Sequence, residues 1–273
     1  MRPGDTCWWD ESWNPLSGCR PKGPGCRNCY AALQIVSGLH QKTPLYDGIV
    51  EKGHFNGKTN VLPPWHPDWN WPLDWPGAEH PVLERQYGPG APSLIFIVDM
   101  GDLFFEGHPT SRIDQVVGTI VLSEHEHIGE LCTRRPDRMA QYFAEQSAIT
   151  LRLWQPRLWL GFSAERQREF DLGWSHMRAL AGAGWTIFVS IAPMLGPVTL
   201  PADFLALRDR GWVICSGEQG AHEDCRDLDA DWARAVRDQC AAAGVSFFMK
   251  QMDCREKRPI PPDLWSRQFP RVR

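Results

Sequence analysis

From residue 94 onward the chain repeats one pattern: a short run of β-branched and aromatic residues, a few polar residues, then an amphipathic stretch. The apolar runs at 94–98, 128–132, 158–162, 186–190, 212–215 and 245–249 predict strands. The stretches at 110–125, 136–146, 166–182 and 229–243 predict helices, the last marked by Asp229 and Asp231 near its start and Gly244 just past its end. A further strand near residues 7–10 brings the expected number to about seven. Strands that alternate with helices pair in parallel through right-handed crossovers. The expected fold class is therefore α/β, a full or partial (β/α) barrel, with an open doubly wound sheet as the runner-up. In either architecture ligands collect at the carboxyl ends of the strands. The residues expected there are polar: Asp99 and Asp102, Thr133 to Arg135, Ser163 and Glu165, Ser190, Ser216 and Glu218, then Lys250 and Gln251.

Residues 41–93 break this rhythm with proline, glycine and tryptophan, and are expected to form an irregular insertion packed over one end of the barrel. Trp65, Trp69, Trp71 and Trp75 fall within eleven residues of it. Such rings stack on nucleobases or staple a poorly periodic segment to the body, and the second role is the commoner one. The whole chain, 1–273, reads as a single β/α domain with a cysteine loop at 12–31, this insertion, and a basic tail at 253–273.

With 273 residues, 42% of them apolar, the chain can bury a substantial core. No apolar run approaches the ~20 residues that span a bilayer, and the N-terminus lacks the apolar centre of a signal peptide. A cytoplasmic protein without a membrane partner is expected. The formal charge of −4 argues against a general polyanion binder. Basic residues are nevertheless concentrated locally: Arg134, Arg135 and Arg138, and in the tail Arg255, Lys257, Arg258, Arg267, Arg271 and Arg273. Such runs are most often solvated faces. Nine cysteines, an odd number, point to buried thiols or metal ligands rather than disulfides.

Three of them form a C-x6-C-x2-C array: Cys19, Cys26 and Cys29. Gly18, Pro21, Gly23, Pro24 and Gly25 give the tight backbone that convergence on a small inorganic core demands. The helix expected to begin at Tyr30 would direct its positive end at that core. Three thiolates fit a [4Fe-4S] cluster that leaves one iron without a protein ligand. They also fit a zinc knuckle completed by Cys7, His40, His54 or His66, which would make the chain a nucleic-acid or protein interaction module without catalysis. The position of the array, between a presumed first strand and a β/α series, favours the cluster. Cys132 and Cys215 fall inside predicted strands and read as buried thiols. His108, His125 and His127 lack metal-ligand spacing and are given no role.

The segments Ser12-Trp-Asn-Pro-Leu-Ser-Gly-Cys19 and Pro24-Gly-Cys-Arg-Asn-Cys-Tyr-Ala31 resemble the opening of a phage and bacterial family of unknown function described as radical-SAM-like. The blocks Asp99-Met-Gly-Asp-Leu-Phe104, Leu131-Cys-Thr-Arg-Arg-Pro-Asp-Arg-Met139, Leu158-Trp-Leu-Gly-Phe-Ser-Ala-Glu165, Ser190-Ile-Ala-Pro-Met-Leu-Gly-Pro197, Trp212-Val-Ile-Cys-Ser-Gly-Glu218 and Phe247-Phe-Met-Lys-Gln251 continue the resemblance in order. It implies a partial barrel of the radical SAM type in which Cys19, Cys26 and Cys29 hold a [4Fe-4S] cluster that binds S-adenosyl-L-methionine. It also implies an electron-donor protein and a 5′-deoxyadenosyl radical; the phage association, the tryptophans and the basic clusters favour a nucleobase, nucleotide, DNA or RNA substrate. Two positions depart from the pattern. The first gap is six residues rather than three, with Asn28 where an aromatic usually precedes the last cysteine and Tyr30 after it. Ala192 stands where a carboxylate is usual.

Within this resemblance Asp99, Asp102, Glu165 and Glu218 are candidates to grip the methionine ammonium or ribose hydroxyls of the cofactor, with Tyr30 and Ser163 beside them. Glu218 leads, because Gly217 before it permits close backbone approach. Arg134, Arg135 and Lys250 are candidates for an anionic part of the substrate or the cofactor carboxylate.

Overall fold

The computed structural model describes residues 7–38, 43–219, 225–252 and 258–272. Eleven strands and nine α-helices are seen among them. A seven-stranded sheet is built from β1 (Glu11–Trp13), β6 (Leu94–Ile97), β7 (Ile128–Thr133), β8 (Leu158–Ala164), β9 (Ile187–Ile191), β10 (Gly211–Ser216) and β11 (Ser246–Gln251). Its order is β1-β6-β7-β8-β9-β10-β11 and every pairing is parallel. The strictly sequential order has no reversal point, so the sheet is a partial β/α barrel and not the doubly wound alternative.

Alternation along each strand assigns the two faces. Ile95, Ile97, Leu131, Leu160, Val189 and Val213 point outward into a core shared with helices α4 (Thr110–Leu122), α5 (Pro136–Ala144), α7 (Gln167–Gly182), α8 (Ala202–Leu205) and α9 (Ala230–Ala243). The short α6 (Ala148–Trp154) leans on this layer through Leu151 and Trp154. Phe96, Trp159, Phe188, Trp212 and Phe248 point inward and plug the barrel around Trp8, whose ring centroid lies 4.8 Å from Phe96 and 5.5 Å from Trp212.

Trp8 explains where the first strand falls. The apolar run at 7–10 predicts pairing there, but those side chains fill the barrel and the pairing begins at Glu11, opposite Ile95. The chain beyond β11 returns along it: Phe248 bridges Arg267 in antiparallel sense and Phe269 joins the plug. That part of the basic tail is built into the fold, with the Arg267 guanidinium 4.1 Å from the Trp265 ring and Arg271 paired with Asp209. Arg255, Lys257 and Arg273 lie outside the described residues.

The insertion carries more structure than its composition predicts. β2 (Leu16–Gly18) pairs antiparallel with β5 (Thr59–Val61), and β3 (Val50–Glu51) with β4 (His54–Phe55). Leu45, Ile49, Phe55, Leu62 and Trp69 pack with Cys19, Ala31 and Ala32, so the insertion covers the cysteine loop and α1 (Tyr30–Val36). Trp69 is buried in α2 (Pro67–Asp74), while Trp71 and Trp75 stack on each other with centroids 4.8 Å apart. Trp65 alone of the four is 83% exposed. Three of the tryptophans are staples. The short α3 (Glu84–Tyr87) ties this segment to the C-terminal return through a hydrogen bond from Tyr87 to the Pro270 carbonyl.

Candidate functional site

The carboxyl ends of the strands open into a cavity that Cys19, Cys26 and Cys29 line from the loop side. Asp99, Cys132, Ser163, Ser190, Glu218 and Lys250 line it from the strand ends, and Trp8, Trp9, Tyr30 and Phe96 form an aromatic wall. The inward face of the sheet thus changes from an aromatic plug to polar side chains as it reaches the rim.

Local backbone sets the three thiols. Gly18 sits at φ +135°, a conformation that side chains other than glycine resist, with the Lys58 carbonyl 2.5 Å from where a Cβ would stand. Cys26 lies in a short 3-10 turn, Pro24–Asn28, and Cys29 is the N-cap of α1. Each sulfur meets N–H donors: Arg135 Nη1 donates to Cys19 Sγ at 3.5 Å, the Lys22 amide to Cys26 Sγ at 3.5 Å, and the Ala31 and Ala32 amides to Cys29. Burial pushes the Cys19 thiol up to about 12 and raises that of Cys29 as well. Left to themselves these thiols are protonated, and a metal core bound there would supply the positive charge needed to ionise them. Donors aimed at three sulfurs around one cavity fit an anionic thiolate-bound cluster.

A single ion is served less well. Among the described residues no three His, Cys, Asp or Glu side chains, Cys19, Cys26 and Cys29 included, form a group able to hold a single metal ion. Of the side chains expected to complete a zinc knuckle, Cys7 lies beside Lys250 and Glu130, and His66 caps α2 by accepting from the Asp68 amide. His54 shares a shallow outer pocket with Cys26, and His40 lies outside the described residues.

Three arginine–carboxylate pairs frame the loop. Glu165, fully buried, accepts from Arg134 and, at 3.0 Å, from the Gly25 amide. Asp102 accepts from Thr133 Oγ1 at 2.6 Å, from the Phe104 and Arg134 amides, and from Arg135 Nη1 at 3.1 Å. Arg135 also reaches Glu106 and the Arg20 carbonyl. Glu218 accepts from Arg226 and, at 3.0 Å, from Asn28 Nδ2, while Arg226 also donates to the Pro24 carbonyl. Burial opposes ionisation of Glu218, but these hydrogen bonds win and hold its carboxyl below the ordinary carboxylate range.

The residues expected at the site therefore divide. Asp102 and Arg134 line the cavity, and with Glu165 and Arg135 they are engaged in the ion pairs Arg134–Glu165 and Arg135–Asp102 that hold its frame. Tyr30 donates to the Asp99 carbonyl, and Asp99 Oδ1 accepts from Asn14 Nδ2 at 2.6 Å. Cys132, expected as a core thiol, faces the cavity with Sγ 3.5 Å from Ser163 Oγ, whereas Cys215 is buried on the outer face as expected. Ala192 also lines the cavity. Sequence reasoning missed Asn14, Asn28 and Arg226. Asn14 and Asn28 lie in the quoted motif, but nothing in the sequence marks Arg226. His108 is buried, and His127 donates to the Trp75 carbonyl at 2.8 Å.

The family model described as a protein of unknown function (DUF5131) matches residues 5–259, and the chain belongs to that family. No curated protein and no solved structure matches it. Among the described residues no helix is long and apolar enough to cross a membrane.

Proposed function

We propose that the chain is a radical S-adenosylmethionine enzyme whose [4Fe-4S] cluster is held by Cys19, Cys26 and Cys29. The observation that carries this reading is that three cysteines, Cys19 and Cys26 buried and Cys29 partly so, line one cavity at the mouth of a parallel β/α partial barrel, each sulfur approached by an N–H donor. A cluster bound there would supply the one electron, drawn from a reduced donor protein, for cleavage of S-adenosylmethionine to methionine and a 5′-deoxyadenosyl radical. Arg135, the Lys22 amide and the first turn of α1 offset the negative charge of the thiolates. The pairs Arg134–Glu165 and Arg226–Glu218 fix the loop against β8 and β10, which keeps the three sulfurs in one arrangement. Tyr30, Asp99, Ser163 and the rim of Glu218 face the space left for cofactor and substrate. The aromatic wall favours a nucleobase or nucleotide substrate, free or within a nucleic acid.

Purification without oxygen and reconstitution with iron and sulfide test the ligand set. About four irons per chain and a brown chromophore are expected, lost on Cys19→Ala, Cys26→Ala or Cys29→Ala and kept on Cys132→Ala. A colourless protein with stoichiometric zinc, or equal loss in all four variants, contradicts the reading.

A further inference from the structure

Three arginines around the cavity and its loop are paired with carboxylates: Arg134 with Glu165, Arg135 with Asp102 and Glu106, Arg226 with Glu218. Lys250 is placed differently. Its Nζ donates to the neutral Gln219 Oε1 at 3.3 Å and lies 5.5 Å from the Trp9 ring and 5.9 Å from the Tyr30 ring. Asp99, in the turn after β6, and Cys7, before β1, face it, and among the described residues no carboxylate reaches it within ion-pair distance. Burial pushes this ammonium below its ordinary range. A half-buried cation held by ring faces and an amide keeps part of its desolvation cost until an anion arrives. Trp8, Trp9 and Phe96 line the cavity beside it.

We infer that Lys250, Gln219 and the Trp9–Tyr30 pair form an anion subsite, which binds the phosphate or carboxylate of a ligand whose planar ring rests on the aromatic wall. The subsite deepens the function proposed above by naming where the ligand is anchored. It requires the cavity and not the cluster, so it is measured on the cluster-free full-length chain, where failure of the subsite and failure of the cluster read out separately.

Tryptophan fluorescence titrations with two matched pairs make the test. Adenosine 5′-monophosphate against adenosine probes a phosphate, and S-adenosylmethionine against decarboxylated S-adenosylmethionine probes the cofactor carboxylate. In at least one pair the member that carries the phosphate or carboxylate should bind about tenfold tighter than its partner, equivalent to ~1.4 kcal/mol. Lys250→Gln should erase that advantage and Lys250→Arg should keep it, and the pair that responds identifies the source of the anion. An equal affinity within both pairs, an absence of binding by all four compounds, or an advantage that survives Lys250→Gln overturns the subsite.

Discussion

Arg135 and Cys19 are joined by a hydrogen bond of 3.5 Å, although 116 positions separate them in the chain. The same guanidinium donates to Asp102 Oδ2 at 3.1 Å, so one buried side chain links the thiol of the loop to the segment that follows β6. Removing the cation leaves Asp102 buried without its charge partner. Arg135→Met should cost about 3–5 kcal/mol of stability in the metal-free chain. Adding Asp102→Asn should recover part of that loss, as read from urea denaturation of both single variants and the double variant. Losses that add without recovery would show that the pair is not coupled.

Gly25 is packed where no side chain fits. A Cβ there would stand 2.4 Å from Glu165 Oε1, 2.7 Å from Arg134 Nη2 and 2.9 Å from Pro193 Cδ. Gly25→Ala should displace the loop, cost about 1–3 kcal/mol and reduce iron retained after reconstitution. Gly118 lies within α4 with nothing within 4 Å of its added Cβ, and Gly118→Ala should stabilise by about 1 kcal/mol without changing iron content. Equal iron content in the two variants would remove the role assigned to Gly25.

His108 gives the metal-free fold an acid sensitivity. It is buried, its Nε2 has no hydrogen-bond partner among the described residues, and burial pulls its pKa from the ordinary 6.5 to about 4. The unfolded chain therefore binds a proton that the fold refuses as pH falls from about 6.5 to about 4, and stability declines across that window. His108→Gln should flatten this decline relative to the parent, measured by denaturation at a series of pH values. Parallel pH profiles would contradict the assignment.

The insertion supplies a contrast within one short segment. Trp69 is 5% exposed and packs over the cysteine loop, whereas Trp65 is 83% exposed. Trp69→Ala should cost about 3–5 kcal/mol. Trp65→Ala should stay within about 0.5 kcal/mol. Thermal melts that rank the two in reverse would show that the insertion is held by something other than its tryptophans.

The sheet was legible because each central strand is an apolar run buried on both faces, a signal that survives without long-range information. Thus the run expected at 94–98 becomes Leu94–Ile97 and that at 212–215 becomes Gly211–Ser216. The start was misplaced because Trp8 satisfies the same apolar signal by filling the barrel instead of pairing. The strands β2 and β5 are three residues each and owe their existence to one another across the insertion, so no local pattern announces them. At the site, the cysteines and strand-end carboxylates could be named from motif and position. Their partners could not: Glu165 meets Arg134 across 31 positions and Asp102 meets Arg135 across 33. Only the packed fold shows that these charges cancel in pairs and that Lys250 is left facing the cavity.

The central claim is that the cysteine cavity binds a cluster and S-adenosylmethionine together. The most direct measurement is the electron paramagnetic resonance spectrum of the reduced, reconstituted protein with and without S-adenosylmethionine, alongside assay of 5′-deoxyadenosine. The account predicts a reduced cluster signal that changes on adding the cofactor, with 5′-deoxyadenosine released under reducing conditions. A cluster signal indifferent to S-adenosylmethionine, with no 5′-deoxyadenosine formed, would contradict it.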